Sequence, residues 1–494
     1  MVELKIKFLK WSAGLPVAML NEETAKTNGI HAKDRIFLKT SSGFQYSTIV
    51  DTVKDLVGKN EIAVSFELKE QLNLKLDQKV RISLAPPLKT TQYIKNKLLG
   101  KELSAKEIDE IIKDVVMNSM SEAEIGFFVA AMYKNGMTSE ETVDLTRAIY
   151  ENGNKLSFKE RTIVDKHCIG GIPGNRTSPI VVSICTAAGL IMPKSSSRAI
   201  TSAAGTADVI ETVADVEFKK EEMKKIIQDT GGCIVWGGGF GMVTADAKII
   251  QIEKVLNLDP QAQMLASVFS KKLAMGSHFI LIDIPYGKTA KVPTLEKAKE
   301  LKRKFELLGR KFNKKLIVVI TDGSQPVGNG IGPALELKDV VNVLDPKKNG
   351  PGDLQTKAVF LAGQLLELTN KAKKGCGEKL ALEILQSGKA FEKFKQIIKR
   401  QNGNLNRLEH TSKFKQDIIS DKSGKVSEFD NKSLAFIARL AGCPSDKFTG
   451  IYLYRHLGDR IEKGQPLLTL YSESRTRLDD AIECYNSKKP ILIN

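Results

Sequence analysis

Five segments concentrate residue types able to hold an anion, a sugar or a leaving group. The earliest runs Lys166-His167-Cys168-Ile169-Gly170-Gly171-Ile172-Pro173-Gly174-Asn175-Arg176-Thr177-Ser178, after an apolar run and ahead of a helix-like stretch of small residues. Glycines permit tight turns and close backbone approach, and free N–H groups at a helix start favour an anion. Lys166 adds charge; Thr177 and Ser178 add hydroxyl donors. The spacing is neither GxxxxGK[ST] nor GxGxxG, so a plain glycine-rich turn between strand and helix is the competing reading.

The second segment, PKSSSRAITSAAGTAD (193–208), places five Ser/Thr hydroxyls with Lys194 and Arg198 within its first ten residues. Neutral hydroxyls and one guanidinium can bind phosphate or ribose oxygens without a metal. Alternatively this is a polar loop with helix caps, and Asp208 is a cap or buttress. The third is Leu258-Asp259-Pro260 with Ser267 and Lys271. There Asp259 reads as an N-cap with Pro260 at the first helical position. Ser267 and Lys271, four apart, share one helix face. The fourth, Asp283-Ile-Pro-Tyr-Gly-Lys288-Thr-Ala-Lys291, follows a strand, where ligands of α/β sheets bind. Its lysines hold an anion or are simply solvated. The fifth, TDGSQPVGNGIGP (321–333), has the wrong spacing for a dinucleotide fingerprint and reads as a packing or closure loop.

The elements that must position these segments change character along the chain. Residues 1–86 read as a β-rich extension, with RIFLKT, YSTIV, EIAVSF and KVRISLA as strands, ending at Ala85-Pro86-Pro87. From 90 to 157 three S/T-x-x-E patterns (Ser104/Glu107, Ser121/Glu124, Thr138/Glu141) announce helices. The first precedes Ile108, Ile111, Ile112, Val115 and Val116, an apolar stripe of helical period. From 162 to 410, strand-like TIV (162–164), CIVW, FILIDI and LIVVIT alternate with helical stretches such as 179–189 and 261–275, the pattern of an α/β sheet covered by helices. Residues 411–494 return to short strands, as in GDRIEKGQPLLTL, in an α+β region.

Composition narrows the classes. With 42% hydrophobic and 27% charged residues the 494-residue chain is globular, which excludes wholesale disorder. No apolar run reaches about 18 residues, so no membrane helix is expected. Six cysteines without a CxxC pair and five scattered histidines argue against a disulfide scaffold and against a metal site. The N-terminal MVELKIKFLKW lacks the apolar core of a secretory signal, and a cytoplasmic protein is expected. Lys+Arg exceeds Asp+Glu by 75 − 58, or +17. Runs such as KKEEMKK (219–225) make this a solvated surface, and the other reading is attraction of phosphates or nucleotides. No zinc finger, RNP motif or aromatic-interleaved basic stripe is present, and nucleic acid is not an expected partner.

Taken together, KHCIGGIPGN, PKSSSRAITSAAGTAD, LDPQAQMLASVFSKK, IDIPYGKTAKV and TDGSQPVGNGIGPALE resemble the thymidine phosphorylase family of pentosyltransferases, and most closely the branch that contains AMP phosphorylases and bacterial proteins named "putative thymidine phosphorylase"; the N-terminal extension is similar to that of AMP phosphorylases. The resemblance implies a helical domain (90–157, joined by 243–275) and a large α/β domain (162–410) facing each other across a cleft, usually in a homodimer. It implies phosphorolysis of an N-glycosidic bond of a nucleoside or nucleoside monophosphate, with inorganic phosphate as co-substrate and no metal or other cofactor. By that resemblance Lys166, Ser178, Ser196 and Thr206 hold phosphate. Gly171, Ser197, Arg198, Ala199, Ile200, Thr201, Ser202, Thr206, Ser267 and Lys291 contact the nucleotide, and Asp259 protonates the leaving base.

Two features depart from the wider family. Cys168 stands where family members carry a hydroxyl, and Ile249–Lys254 holds no arginine for a pyrimidine base, which argues against strict thymidine specificity. A Mg-dependent phosphoribosyltransferase of the same architecture would show GTGGD and an acidic metal motif instead. A non-catalytic binder of nucleotides or nucleic acid would show strongly salt-dependent polynucleotide binding.

Overall fold

A computed structural model describes residues 2–9, 17–41, 43, 45–158, 162–199, 202–238 and 241–494, apart from the side chain of Gln71. The chain divides into two compact units: Met1–Asn152 with Thr244–Ser267, and Gly153–Val243 with Val268–Asn494.

The first unit opens with a closed six-stranded barrel in the order Val2–Phe8, Glu61–Val64, Val17–Asn21, Gln45–Val53, Arg35–Thr40, Lys79–Leu84. Strand alternation turns Leu4, Ile6, Leu20, Ile36, Leu38, Val50, Ile62, Val80 and Ile82 into one apolar interior. Two short helices, Glu22–Thr27 and Phe66–Leu72, interrupt the strands. The run EIAVSF therefore ends as a strand at Val64, because Ser65 caps a helix by accepting from the Leu68 N–H.

Five helices complete this unit: Lys89–Leu98, Ala105–Val116, Glu122–Asn135, Ser139–Glu151 and Thr244–Leu256. All three S/T-x-x-E patterns form reciprocal capping boxes. Ile108, Ile111, Ile112 and Val115 are buried, as their period requires. A buried Lys97–Glu141 ion pair (2.8 Å) pins the first of these helices to the fourth. Arg35 pairs with Glu124, and Asn118 donates to the Tyr46 hydroxyl (2.8 Å), so barrel and helices share one unit.

The second unit is built on parallel strands. Lys315–Asp322, Phe279–Tyr286 and Val164–Cys168 form one sheet in that order, and Met192–Ser196 pairs with Gly232–Trp236. A bridge from Ile163 to Ile191 links the two. Packed helices, among them Thr177–Ala187, Pro333–Leu344, Gly352–Leu368 and Lys389–Arg400, bury one large aliphatic core around them. FILIDI, LIVVIT and CIVW are strands as expected. TIV contributes only Val164 to a strand that continues through Asp165, Lys166 and His167. The first motif thus begins inside the sheet, where ion pairs replace the apolar side chains by which a strand is usually recognised.

The C-terminal region adds antiparallel strands, including Gly450–Leu453, Pro466–Ser472 and Phe414–Ile419, with the helices Asn431–Leu440 and Arg475–Lys488. Gly330–Ile331, from the fifth motif, pairs with Ile451 and Tyr452. No helix among the described residues is long and apolar enough to cross a membrane.

Candidate functional site

Parallel pairing aligns the C-terminal ends of Val164–Cys168 and Phe279–Tyr286 at one edge of the sheet, with Cys168 opposite Asp283. Lys166 is fully buried there, and its Nζ donates to Thr177 Oγ1 (2.7 Å) in the first turn of the next helix. Burial lowers the Lys166 ammonium below its usual range, partly offset by Cys168 and Asp283. Ser178, beside Thr177, is also buried. Burial pushes the Cys168 thiol up to about 11, which keeps it neutral at pH 7. Cys168 Sγ accepts from Asn175 Nδ2 (3.4 Å).

Two close approaches explain the glycines of this turn. Gly171 has φ +86, and a Cβ there would lie 2.5 Å from the backbone nitrogen of Lys291. Gly174 has φ +70, and a Cβ would lie 2.5 Å from Val327 O and 2.7 Å from Gly330 O. The first motif therefore packs directly on the fourth and the fifth. The fifth acts as a packing loop, with Val327 N–H donating to Pro173 O (3.1 Å).

The 193–208 segment forms the other wall. The Ser195 and Ser196 hydroxyls are buried with no hydrogen-bond partner among the described residues. Asp208 is the buttress of this loop: its Oδ2 accepts from Ala199 N (2.7 Å) and Gly205 N (2.8 Å). Gly205 sits where a Cβ would meet Ser197 O at 2.4 Å. Ser202 donates to Ala204 O (3.1 Å). Ile200 and Thr201 lie outside the described residues.

Arg176 joins the two walls. Its Nη1 donates to Thr206 Oγ1 (2.8 Å), its Nη2 to Ala204 O (3.0 Å) and its Nε to Glu336 Oε2 (2.6 Å). Lys166, Gly171, Ser178, Ser196, Thr206 and Lys291 are thus carried by strands, loops and helix starts of one unit.

The two cations of the second motif are otherwise engaged. Arg198 makes a two-pronged pair with Glu211 (2.6 Å each), reaches Glu217 (2.9 Å) and stacks over Trp236. This pairing raises the guanidinium further and, with Lys447, holds Glu211 down to about 2. Lys194 is buried, 3.6 Å from Asp165, and donates to Ser195 O (2.9 Å). Burial, with Lys272 nearby, lowers it to about 7. What either segment offers a ligand is therefore chiefly hydroxyls and backbone. In the fourth motif, Lys288 pairs with Glu428 (2.6 Å), and both Lys288 and Lys291 are exposed.

Sequence reasoning passed over Arg176, Asp165, Lys272 and Glu336. Arg176 stood inside the first motif, but its partners lie 30 and 160 positions away. Of the remaining expected residues, Asp259 and Ser267 belong to the first unit. Asp259 is exposed, and Ser267 is buried in the helix Gln261–Ala274. The helix is bounded at Gln261, with Met264 N donating to Pro260 O (3.0 Å), so Asp259 lies at the helix start, two residues ahead of its first residue.

Comparison with known proteins agrees along the whole chain. Residues 160–391 match the glycosyl transferase family a/b domain, 91–153 its helical bundle domain, and 425–491 the pyrimidine nucleoside phosphorylase C-terminal domain. The chain is 42% identical to an AMP phosphorylase of Thermococcus kodakarensis over 100% of its own length and 98% of the relative's. It is 41% identical to an AMP phosphorylase of Pyrococcus furiosus (99% and 97% covered). It is 40% identical to a Legionella pneumophila protein named "Putative thymidine phosphorylase" (94% and 90% covered). Among solved structures, anthranilate phosphoribosyltransferase from Thermus thermophilus superposes with a TM-score of 0.53 at 19% identity, covering 63% of this chain and 99% of that one, a likeness of fold alone. The chain belongs to the glycosyl transferase family, in the phosphorylase branch that joins a helical bundle domain, an a/b domain and a pyrimidine nucleoside phosphorylase C-terminal domain.

Proposed function

We propose that the protein is a nucleoside monophosphate phosphorylase, with AMP its preferred substrate, working as a cytoplasmic homodimer. Inorganic phosphate attacks the anomeric carbon as the C1′–N bond breaks, giving free base and ribose 1,5-bisphosphate. The transition state has oxocarbenium character, by analogy with glycoside cleavage. The protein's tasks are to hold the anionic nucleophile in line, to stabilise the charge leaving on the base and to exclude water.

In this reading Lys166, Ser178, Ser196 and Thr206 bind the attacking phosphate. Gly171, the 197–202 segment, Ser267 and Lys291 bind the nucleotide. Asp259 gives its proton to a ring nitrogen of the departing base. One observation carries the preference for a 5′-phosphate: Gly171 seats the backbone of Lys291 against the first motif, so an exposed lysine is carried beside that turn. Identity of about 40% to AMP phosphorylases across the N-terminal barrel as well as the other domains supports the same substrate. Six free thiols suit a reducing compartment.

The test is base release from AMP, CMP, UMP, thymidine, uridine and adenosine, with and without inorganic phosphate. Phosphate-dependent release that is fastest from AMP is expected. Release without phosphate, or a preference for thymidine over every monophosphate, overturns the reading.

A further inference from the structure

The first-motif arginine has an unusual set of duties. Arg176 occupies the N-cap of the helix Thr177–Ala187, yet its side chain makes no capping hydrogen bond. It turns away from its own helix, its side chain 12% exposed, toward Glu336 at 1%. Nε and Nη2 both reach Glu336 Oε2 at 2.6 Å, and Glu336 Oε1 also accepts from the Gly332 N–H (3.2 Å). The fork is therefore fixed in plane before it meets anything else.

What it then meets is Thr206. A threonine hydroxyl has one proton to give and two lone pairs to receive. Arg176 Nη1 fills a lone pair at 2.8 Å, and a guanidinium can accept nothing in return. Among the described residues the Thr206 hydroxyl has no acceptor, so its proton is left directed away from the guanidinium. Lys166 treats Thr177 in the same way, donating to its Oγ1 at 2.7 Å. Twice, a buried or nearly buried cation fills a hydroxyl lone pair beside residues that the resemblance assigns to phosphate.

We propose that Arg176 is a positioning residue for the phosphate co-substrate, orienting the Thr206 hydroxyl as a donor to the anion and locking the Thr206 segment to the start of the Ser178 helix. This rests on the reading of Ser178 and Thr206 as phosphate ligands. A lysine cannot replace the arginine, because a single ammonium cannot satisfy Glu336, Ala204 O and Thr206 in one plane.

The experiment is steady-state kinetics of the full-length enzyme, with phosphate and AMP varied separately, for Arg176→Lys, Arg176→Gln, Thr206→Val and Arg176→Lys/Thr206→Val, each with a melting curve. Arg176→Lys raises the phosphate KM about tenfold, the loss of one well-made hydrogen bond to a charged group. The AMP KM, and kcat at saturating phosphate, stay within about threefold. The double variant is no worse than the poorer single one, because both changes remove the same interaction.

An unchanged phosphate KM in Arg176→Lys, or effects that multiply in the double variant, overturns the proposal. If Thr206→Val also leaves the phosphate KM unchanged, the reading of the phosphate site fails as well. If Thr206→Val raises it while Arg176→Lys does not, only the role of Arg176 fails. Loss of the folded second unit in both Arg176 variants assigns the residue to the scaffold alone and overturns the proposal too.

Discussion

Asp165→Asn is the most informative single change in the scaffold beneath the candidate site. Asp165 is fully buried, with Lys272 Nζ 2.6 Å from one oxygen and Lys194 Nζ 3.6 Å from the other. It also accepts from the Lys166 N–H (2.7 Å), so it holds the strand that carries the candidate phosphate lysine. The substitution keeps the shape and removes the charge facing two buried ammonium groups. Breaking a buried pair by deleting one partner costs about 3–5 kcal/mol. Lys194 is already near pH 7 and sheds its proton cheaply, which places the cost near 3 kcal/mol. At about 2 °C per kcal/mol the second unit should melt about 6 °C lower.

The pH dependence follows from linkage. In the variant the folded chain binds fewer protons than folded wild type, because Lys194, already lowered to about 7 by burial, has lost the carboxylate that favours its charged form, so the variant's stability rises more steeply with pH. The deficit is therefore largest near pH 6 and shrinks toward pH 9. Calorimetric melts of both proteins at the two pH values measure it. Melting within 1 °C of wild type at both, or a deficit that grows with pH, refutes the electrostatic account. Lys272→Met leaves Asp165 with Lys194 and should cost less than Asp165→Asn.

Asp259→Asn should lower turnover on AMP by roughly 10²–10³-fold with little change in ground-state affinity, since a general acid acts on the leaving group; equal turnover removes it from that role. Lys291→Ala should weaken use of AMP more than use of adenosine, and an unchanged ratio of kcat/KM values argues against a 5′-phosphate contact. Asp339 accepts from Asn329 N and Gly330 N (2.7 Å each), and burial lifts its carboxyl to about 7. Its contribution to stability is full below the unfolded pKa of 3.8 and is lost as pH rises through about 7. Asp339→Asn keeps an acceptor without the charge, so its melting temperature relative to wild type should climb from pH 5 to pH 8; a flat difference contradicts the burial argument.

Local signals carried much of the fold. The three capping boxes were legible because each is closed within four residues, and the strands FILIDI and LIVVIT because each is a near-continuous apolar run, FILIDI being the central strand buried on both faces. What sequence could not supply was the partner of each charge. Lys194 and Arg198 read as anion donors on composition. Their engagement by Asp165, Glu211 and Glu217 depends on chain segments meeting in space, as does the bridge from Arg176 to Glu336. The strand through Lys166 was missed at its charged end for the same reason. EIAVSF overran its strand because Ser65 could equally extend it or cap a helix, and the next turn decided between them.

Every strand of the N-terminal sheet has a neighbour on both sides. Closure of the barrel leaves no edge strand among the described residues, which removes the long open edge that most readily recruits a foreign strand. Polar substitutions on its outer wall therefore leave that closure intact.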